Sequence, residues 1–116
     1  MRDHKTLLCW QLARDLSEEV HRATVGNWKP PATAAFDQLR RASLSVRLNI
    51  AEGHAIGSPG GFARHLTIAY GSAAETAELL EFCRDTAGYL KRQTSEHLFL
   101  LQAGYKHWYS DSGDAV

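Results

Sequence analysis

Gly57-Ser58-Pro59-Gly60-Gly61 separates two long runs of helical character: Phe36-Asp37-Gln38-Leu39-Arg40-Arg41 through Asn49-Ile50-Ala51-Glu52-Gly53, and Phe62 through Ala87. Gly57 suits the residue just past a helix, where a left-handed backbone is wanted. Ser58 is then an N-cap and Pro59 a first helical residue, whose missing N–H would have no partner in any case. A connection this short forces antiparallel neighbours, so the two runs predict a long helical hairpin.

Working outward, the upstream run predicts a helix over about 33–56. Phe36, Leu39, Ser43, Val46 and Ile50 alternate at spacings of three and four, a heptad seam. Leu44, Leu48, Ala51 and Ala55 form a second stripe beside it, which predicts burial against more than one neighbour. The downstream run predicts a helix over about 59–87, with Phe62, Leu66, Ala69, Ala73, Thr76, Leu80, Cys83 and Ala87 facing inward and Gly88 ending it. Leu8, Leu12, Leu16 and Val20 predict a first helix over about 6–24, stopped by Gly26-Asn27 and the loop Trp28-Lys29-Pro30-Pro31. Leu98, Leu101, Tyr105 and Trp108 predict a fourth over about 95–109, capped by Thr94 or Ser95, with 110–116 as a polar tail. No strand-like alternation occurs. The expectation is all-α: one domain over 1–116, an antiparallel up-down-up-down four-helix bundle.

Composition narrows the function classes. The 116 residues suffice for a core without disulfide or metal staples. Thirteen basic groups balance thirteen acidic ones, unlike the basic excess of a nucleic-acid-binding domain. No run approaches the roughly 18 apolar residues of a membrane span, and no apolar segment follows Met1-Arg2-Asp3-His4-Lys5 as a secretory signal requires. A cytoplasmic protein with no membrane partner is expected. Cys9 and Cys83, without CxxC spacing, predict buried free thiols.

In a hairpin centred near Ser58, facing residues have numbers that add to roughly 116. This register sets Arg41 level with Glu75, Arg40 level with Thr76 and within reach of Glu78, Glu52 level with Arg64 and His65, and Asn49 level with Thr67 and Ile68. Gly53 and Gly71 lie inside helices at about 1 kcal/mol each relative to alanine, which predicts close helix approach at both. Asn49, one turn before Glu52, predicts a satisfied hydrogen-bond cluster that fixes register. A ligand or partner site near the hairpin tip is the other reading.

Gln38-Leu39-Arg40-Arg41-Ala42, Asn49-Ile50-Ala51-Glu52-Gly53, Ser58 and Ile68-Ala69-Tyr70-Gly71-Ser72 followed by Glu75 resemble the bacterial ribosomal RNA intervening-sequence protein family. That family is similar to the accessory variability determinant proteins of diversity-generating retroelements. The resemblance spans the first three helices from about Trp10-Gln11 and fades in the fourth. It implies a four-helix bundle assembling as a ring-like homo-pentamer, with no established enzyme activity. Arg47 stands where many relatives carry proline, and Gly60 and Gly61 replace residues commonly charged.

Three functions are weighed. The first is a homo-oligomeric binding or scaffolding protein without enzymatic activity, in which Arg41, Asn49, Glu52, Gly53, Gly71, Ser72 and Glu75 carry structure and interaction. The spare stripe of the second helix favours it, as do the aromatics Trp10, Trp28, Tyr105, Trp108 and Tyr109. The second is an RNA- or ribonucleoprotein-binding module, or a partner of a nucleic-acid-processing protein. It would use Arg40 and Arg47, one heptad apart, extended by Arg14, Arg22 and Lys29. Pairing of Arg40 and Arg41 with Glu75 and Glu78 would make them poorly available to phosphate. The third is a metal-dependent bundle enzyme, whose sole support is the Glu18-x-x-His21 spacing against the two such motifs a bundle di-metal site needs. No catalytic, cofactor or metal residue is singled out: Ser43, Ser45 and Ser72 lie mid-helix without a strained elbow, and the hairpin glycines lack a P-loop's lysine.

Overall fold

A computed structural model of the chain describes residues 3–26, 33–87 and 92–109. Four helices follow one another: α1 (Leu8–Gly26), α2 (Thr33–Ile56), α3 (Pro59–Ala87) and α4 (Arg92–Ala103). Short 3-10 turns, His4–Thr6 and Tyr105–His107, flank them. Among the described residues there is no strand. The bounds of α2 and α3 are the expected ones, because both ends of the connection carry their own stop and start chemistry. Gly57 has a φ of 79°, the left-handed backbone that glycine takes without strain. The Ser58 hydroxyl accepts from the Gly61 amide at 3.1 Å and Pro59 opens α3.

The outer helices differ from expectation at their ends. The first is preceded by a 3-10 turn capped by Asp3, whose carboxylate accepts from the Lys5 amide at 3.0 Å; this bond holds the Asp3 carboxyl below its ordinary range. Leu7, fully buried, takes the core place expected of Leu8, which is 57% exposed. The buried stripe is therefore Cys9, Ala13, Leu16, Val20 and Thr24, turned from the Leu8–Val20 row. At the other end Thr94 and Ser95 lie inside α4 rather than capping it, and the helix stops at Ala103 rather than about 109. The Trp108 indole folds back and donates to the Leu101 carbonyl at 3.0 Å, satisfying a group that a helix end leaves open. Asn27, Trp28, Lys29, Pro30, Pro31, Gly88 and 110–116 lie outside the described residues.

The core follows the heptad rows. Phe36, Leu39, Ser43, Val46 and Ile50 are all buried, as are Phe62, Leu66, Ala69, Ala73, Thr76, Leu80 and Cys83. Each apolar side chain so enclosed contributes on the order of 1.5–3 kcal/mol against exposure. Cys9 and Cys83 are buried and not joined in a disulfide, and burial pushes the Cys83 thiol up. α2 packs against α3 and α1, and α4 closes the bundle against α1 and α3. α2 and α3 run oppositely. Across α2 and α3, Gln38 meets Glu75 while Asn49 meets His65. Across α3 and the end of the α4 segment, Phe62 meets Tyr109 while Tyr70 meets Tyr105. The bundle measures 46 × 21 × 19 Å.

The aromatics expected at an interface are mostly consumed inside the chain. Trp10 and Trp108 are buried, Tyr105 stacks on Tyr70 at 3.9 Å between ring centroids, and Tyr109 lies against Phe62.

Candidate functional site

Seven polar side chains share the line where α2 meets α3. Gln38 Nε2 donates to Glu75 Oε1 at 2.8 Å. Further along, the Ser45 and Ser72 hydroxyls lie 2.9 Å apart. Asn49 Nδ2 donates to the Ser45 carbonyl at 2.9 Å and to its hydroxyl at 3.0 Å. That amide orientation leaves Asn49 Oδ1 as an acceptor, 3.1 Å from His65 Nδ1. Glu52 Oε2, also an acceptor, lies 3.7 Å from the same nitrogen. Two acceptors around one ring nitrogen assign the hydrogen to Nδ1. Gly53 sits directly above: a Cβ there would lie 2.6 Å from His65 Cβ and 3.2 Å from the Phe62 ring. The expected cluster around Asn49 and Glu52 thus exists, and Gly53 does serve close helix approach.

Several expected pairs are not formed. Glu75 meets Gln38 rather than Arg41. Arg41 instead contacts the Gln38 amide oxygen at 3.4 Å. Arg40 pairs with Asp37 within α2 rather than across to Glu78, a partner three residues away being nearer than any on the next helix. Asn49 meets His65 rather than Thr67 or Ile68. Gly71 faces open space, with nothing within 4 Å of its would-be Cβ, so it serves no close approach within the chain.

The outward side of this hairpin is apolar where it is not hydrogen-bonded. Leu44, Leu48 and Ile68 are 44%, 54% and 44% exposed. Ala51 is half-buried and Ala55 exposed. The second stripe of α2, expected to be buried, is uncovered in the single chain.

On its other flank α2 forms a groove with α1, of about 400 Å³, lined by Ser17, Glu18, His21, Arg22, Arg40, Arg41, Leu44 and Arg47. Arg40, Arg47 and Arg22, singled out for phosphate contact, do converge there. Arg14 lies beside it, its guanidinium over Trp10 and bonded to Asp15 at 3.0 Å. Arg47 covers the same ring, 5.1 Å from its centroid, and reaches Glu18 at 3.3 Å. Lys29 is outside the described residues. Glu18 and His21 line the groove together, but among the described residues no group of three or more His, Cys, Asp or Glu side chains is placed to hold a metal ion.

The sequence pattern of the 23S rRNA-intervening sequence protein family matches residues 5–103. The chain belongs to this family. No curated protein and no solved structure matches it significantly. The family match covers both the hydrogen-bonded line and the groove. No helix among the described residues is long and apolar enough to cross a membrane.

Ser45 and Gln38 were not singled out from the sequence, whereas the register set His65 level with Glu52, 3.7 Å from which it lies. The hairpin register alone could have found Ser45, which it sets nearly level with Ser72.

Proposed function

We propose that this chain is a non-enzymatic, homo-oligomeric bundle of the cytoplasm, pentameric as the family resemblance implies, that acts as a binding or scaffolding module. The observation that carries this reading is the exposure of Leu44 and Leu48 on α2 and of Ile68 on α3. Removing apolar surface of this kind from water favours association at roughly 25 cal/mol per Å² before the costs of assembly.

Four further features support a second copy as the occupant. The face is built on the two longest helices, joined by a rigid capped turn. The line of hydrogen bonds from Ser72 through Asn49 to His65 fixes the relative height of α2 and α3, so the face is pre-shaped and little ordering is lost on docking. Gly71 leaves a gap at its centre into which a neighbouring helix can settle closely. Exposed Arg41 and Glu75 at one end and Glu52 at the other supply polar rims of both signs.

Cytoplasmic residence is supported by Cys9 and Cys83, both buried and not joined in a disulfide. The mass of the protein in solution, measured by light scattering across a concentration series, tests the assembly.

A further inference from the structure

We propose that the groove between α1 and α2 is a socket for a second copy of this chain, taking the exposed Phe82 ring of α3 together with the carboxylates beside it. The inference rests on the assembly proposed above and names two surfaces that meet in it.

The groove has mostly hydrocarbon walls under a basic rim. Leu44 lines it beside four arginines, and a long charged side chain lays its stem along apolar surface while its end stays in water. Arg40 is held by Asp37 within α2, and Arg47 by Trp10 and Glu18. Arg22 and Arg41 are left to face a partner. Arg22 is two-thirds exposed and 3.9 Å from Glu18, longer than a well-formed charged hydrogen bond. Arg41 contacts the neutral Gln38 amide.

α3 carries the matching chemistry. Gly71, Glu75, Glu78 and Phe82 follow one another at spacings of four, three and four, which places them on one ridge, and all four are exposed. Phe82 is 54% exposed, with Glu81 next to it in the chain. Between residues 66 and 83 α3 has three carboxylates and no lysine or arginine. Opposite charge on two patches steers them together and fixes their register. Arginine also stacks on aromatic faces, as Arg14 and Arg47 do on Trp10. At about 400 Å³ the groove is large enough for a phenylalanine ring. Gly71, with nothing within 4 Å of a would-be Cβ, lowers the same ridge so that a neighbouring helix comes close.

α3 is no wall of the groove, so the two patches match between copies rather than within one. Leu44 lines the groove and also belongs to the outward stripe of α2, so the socket continues the surface already assigned to assembly. Glu18 is taken up by arginines of its own chain and stays outside the docked contact. Two different patches on each copy make a head-to-tail contact, the kind that closes into rings.

Light scattering across a concentration series compares the parent with Phe82→Ala, with Arg22→Glu, with Glu78→Arg/Glu81→Arg, and with these two charge reversals combined. Lys106→Glu, exposed in the turn after α4, is the control, and circular dichroism confirms the fold of each variant. Arg22 stands on α1, outside the α2–α3 face, so its effect reads the socket alone. Phe82→Ala and each charge reversal are expected to raise the concentration needed for assembly about tenfold or more, as truncating an anchor side chain does. The combined reversal is expected to bring assembly back toward the parent's, because the two signs have exchanged places, and Lys106→Glu to leave it unchanged. Should Phe82→Ala fail to fold, the exposed charge reversals carry the test. A parent with the mass of one chain at every concentration overturns the assembly and this contact with it. An assembled parent whose mass is kept by Arg22→Glu and by the ridge variants overturns this contact alone and leaves the groove to another occupant. Weakening by the single reversals that their combination does not relieve also overturns it.

Discussion

Asn49 and His65 meet across α2 and α3, with His65 Nδ1 donating to Asn49 Oδ1 at 3.1 Å. The contact ties the hairpin together four residues before the close approach at Gly53. Asn49 also donates to Ser45, which touches Ser72, so one side chain links three others and sets the height of one helix against the next. Asn49→Ala leaves the His65 N–H and the Ser45 hydroxyl short of a partner in a half-buried place. A loss of about 1–3 kcal/mol is expected, read by urea denaturation at fixed protein concentration.

The two interior glycines give opposite results. Gly53→Ala forces a methyl group to 2.6 Å from His65 Cβ, an atom next to the backbone that cannot swing aside. Overpacking of this kind costs about 1–3 kcal/mol, more than the roughly 1 kcal/mol gained in helix propensity, so the melting temperature falls. Gly71→Ala meets nothing within the chain and gains the propensity term, so a single chain becomes more stable. It also fills the gap in the proposed interface, so the mass in solution is expected to drop although the fold is firmer.

Leu48→Glu and Ile68→Glu separate assembly from folding. Both positions are about half exposed, and surface changes usually shift folding stability by no more than about 0.5 kcal/mol. Placing a carboxylate at the centre of a buried face is far more costly. The expected outcome is a lower-mass species with unchanged helical circular dichroism. Retention of the parent's mass by both variants would remove this face from the assembly.

Glu52 and Glu18 provide a contrast within one residue type. Glu52 is 67% exposed and lies 3.7 Å from His65; Glu18 is 46% exposed and shared by two arginines. Exposed ion pairs are worth about 0–1 kcal/mol, so Glu52→Ala and Glu18→Ala both fold. Glu52 stands on the rim of the proposed interface and Glu18 in the groove. Glu52→Ala is expected to shift the assembly equilibrium and Glu18→Ala to leave it in place, read as mass against concentration.

The long helices were legible because each local signal agreed with the next. Phe62 to Cys83 repeats at fours and threes without a break, and every member is buried. Gly57, Ser58 and Pro59 fix the turn independently of that pattern. The ends were less legible because a side chain outside a helix can do the work of one inside it. Leu7 fills the core in place of Leu8, and Trp108 satisfies a carbonyl by folding back on Leu101. Arginine pairing was misjudged for a physical reason: register says which residues are level, but a long side chain takes the nearest acceptor, as Arg40 does with Asp37. The groove could not be read at all from the hairpin register, since it depends on how α1 sits against α2 across a separate connection.

The central claim is that the open face of the α2–α3 hairpin is covered by sister copies. Light scattering coupled to size exclusion at micromolar concentration measures this directly. One chain has a mass of 12.9 kDa. A single species of about five times that mass is expected for a closed ring, whereas a species of 12.9 kDa that persists as concentration is raised contradicts the account.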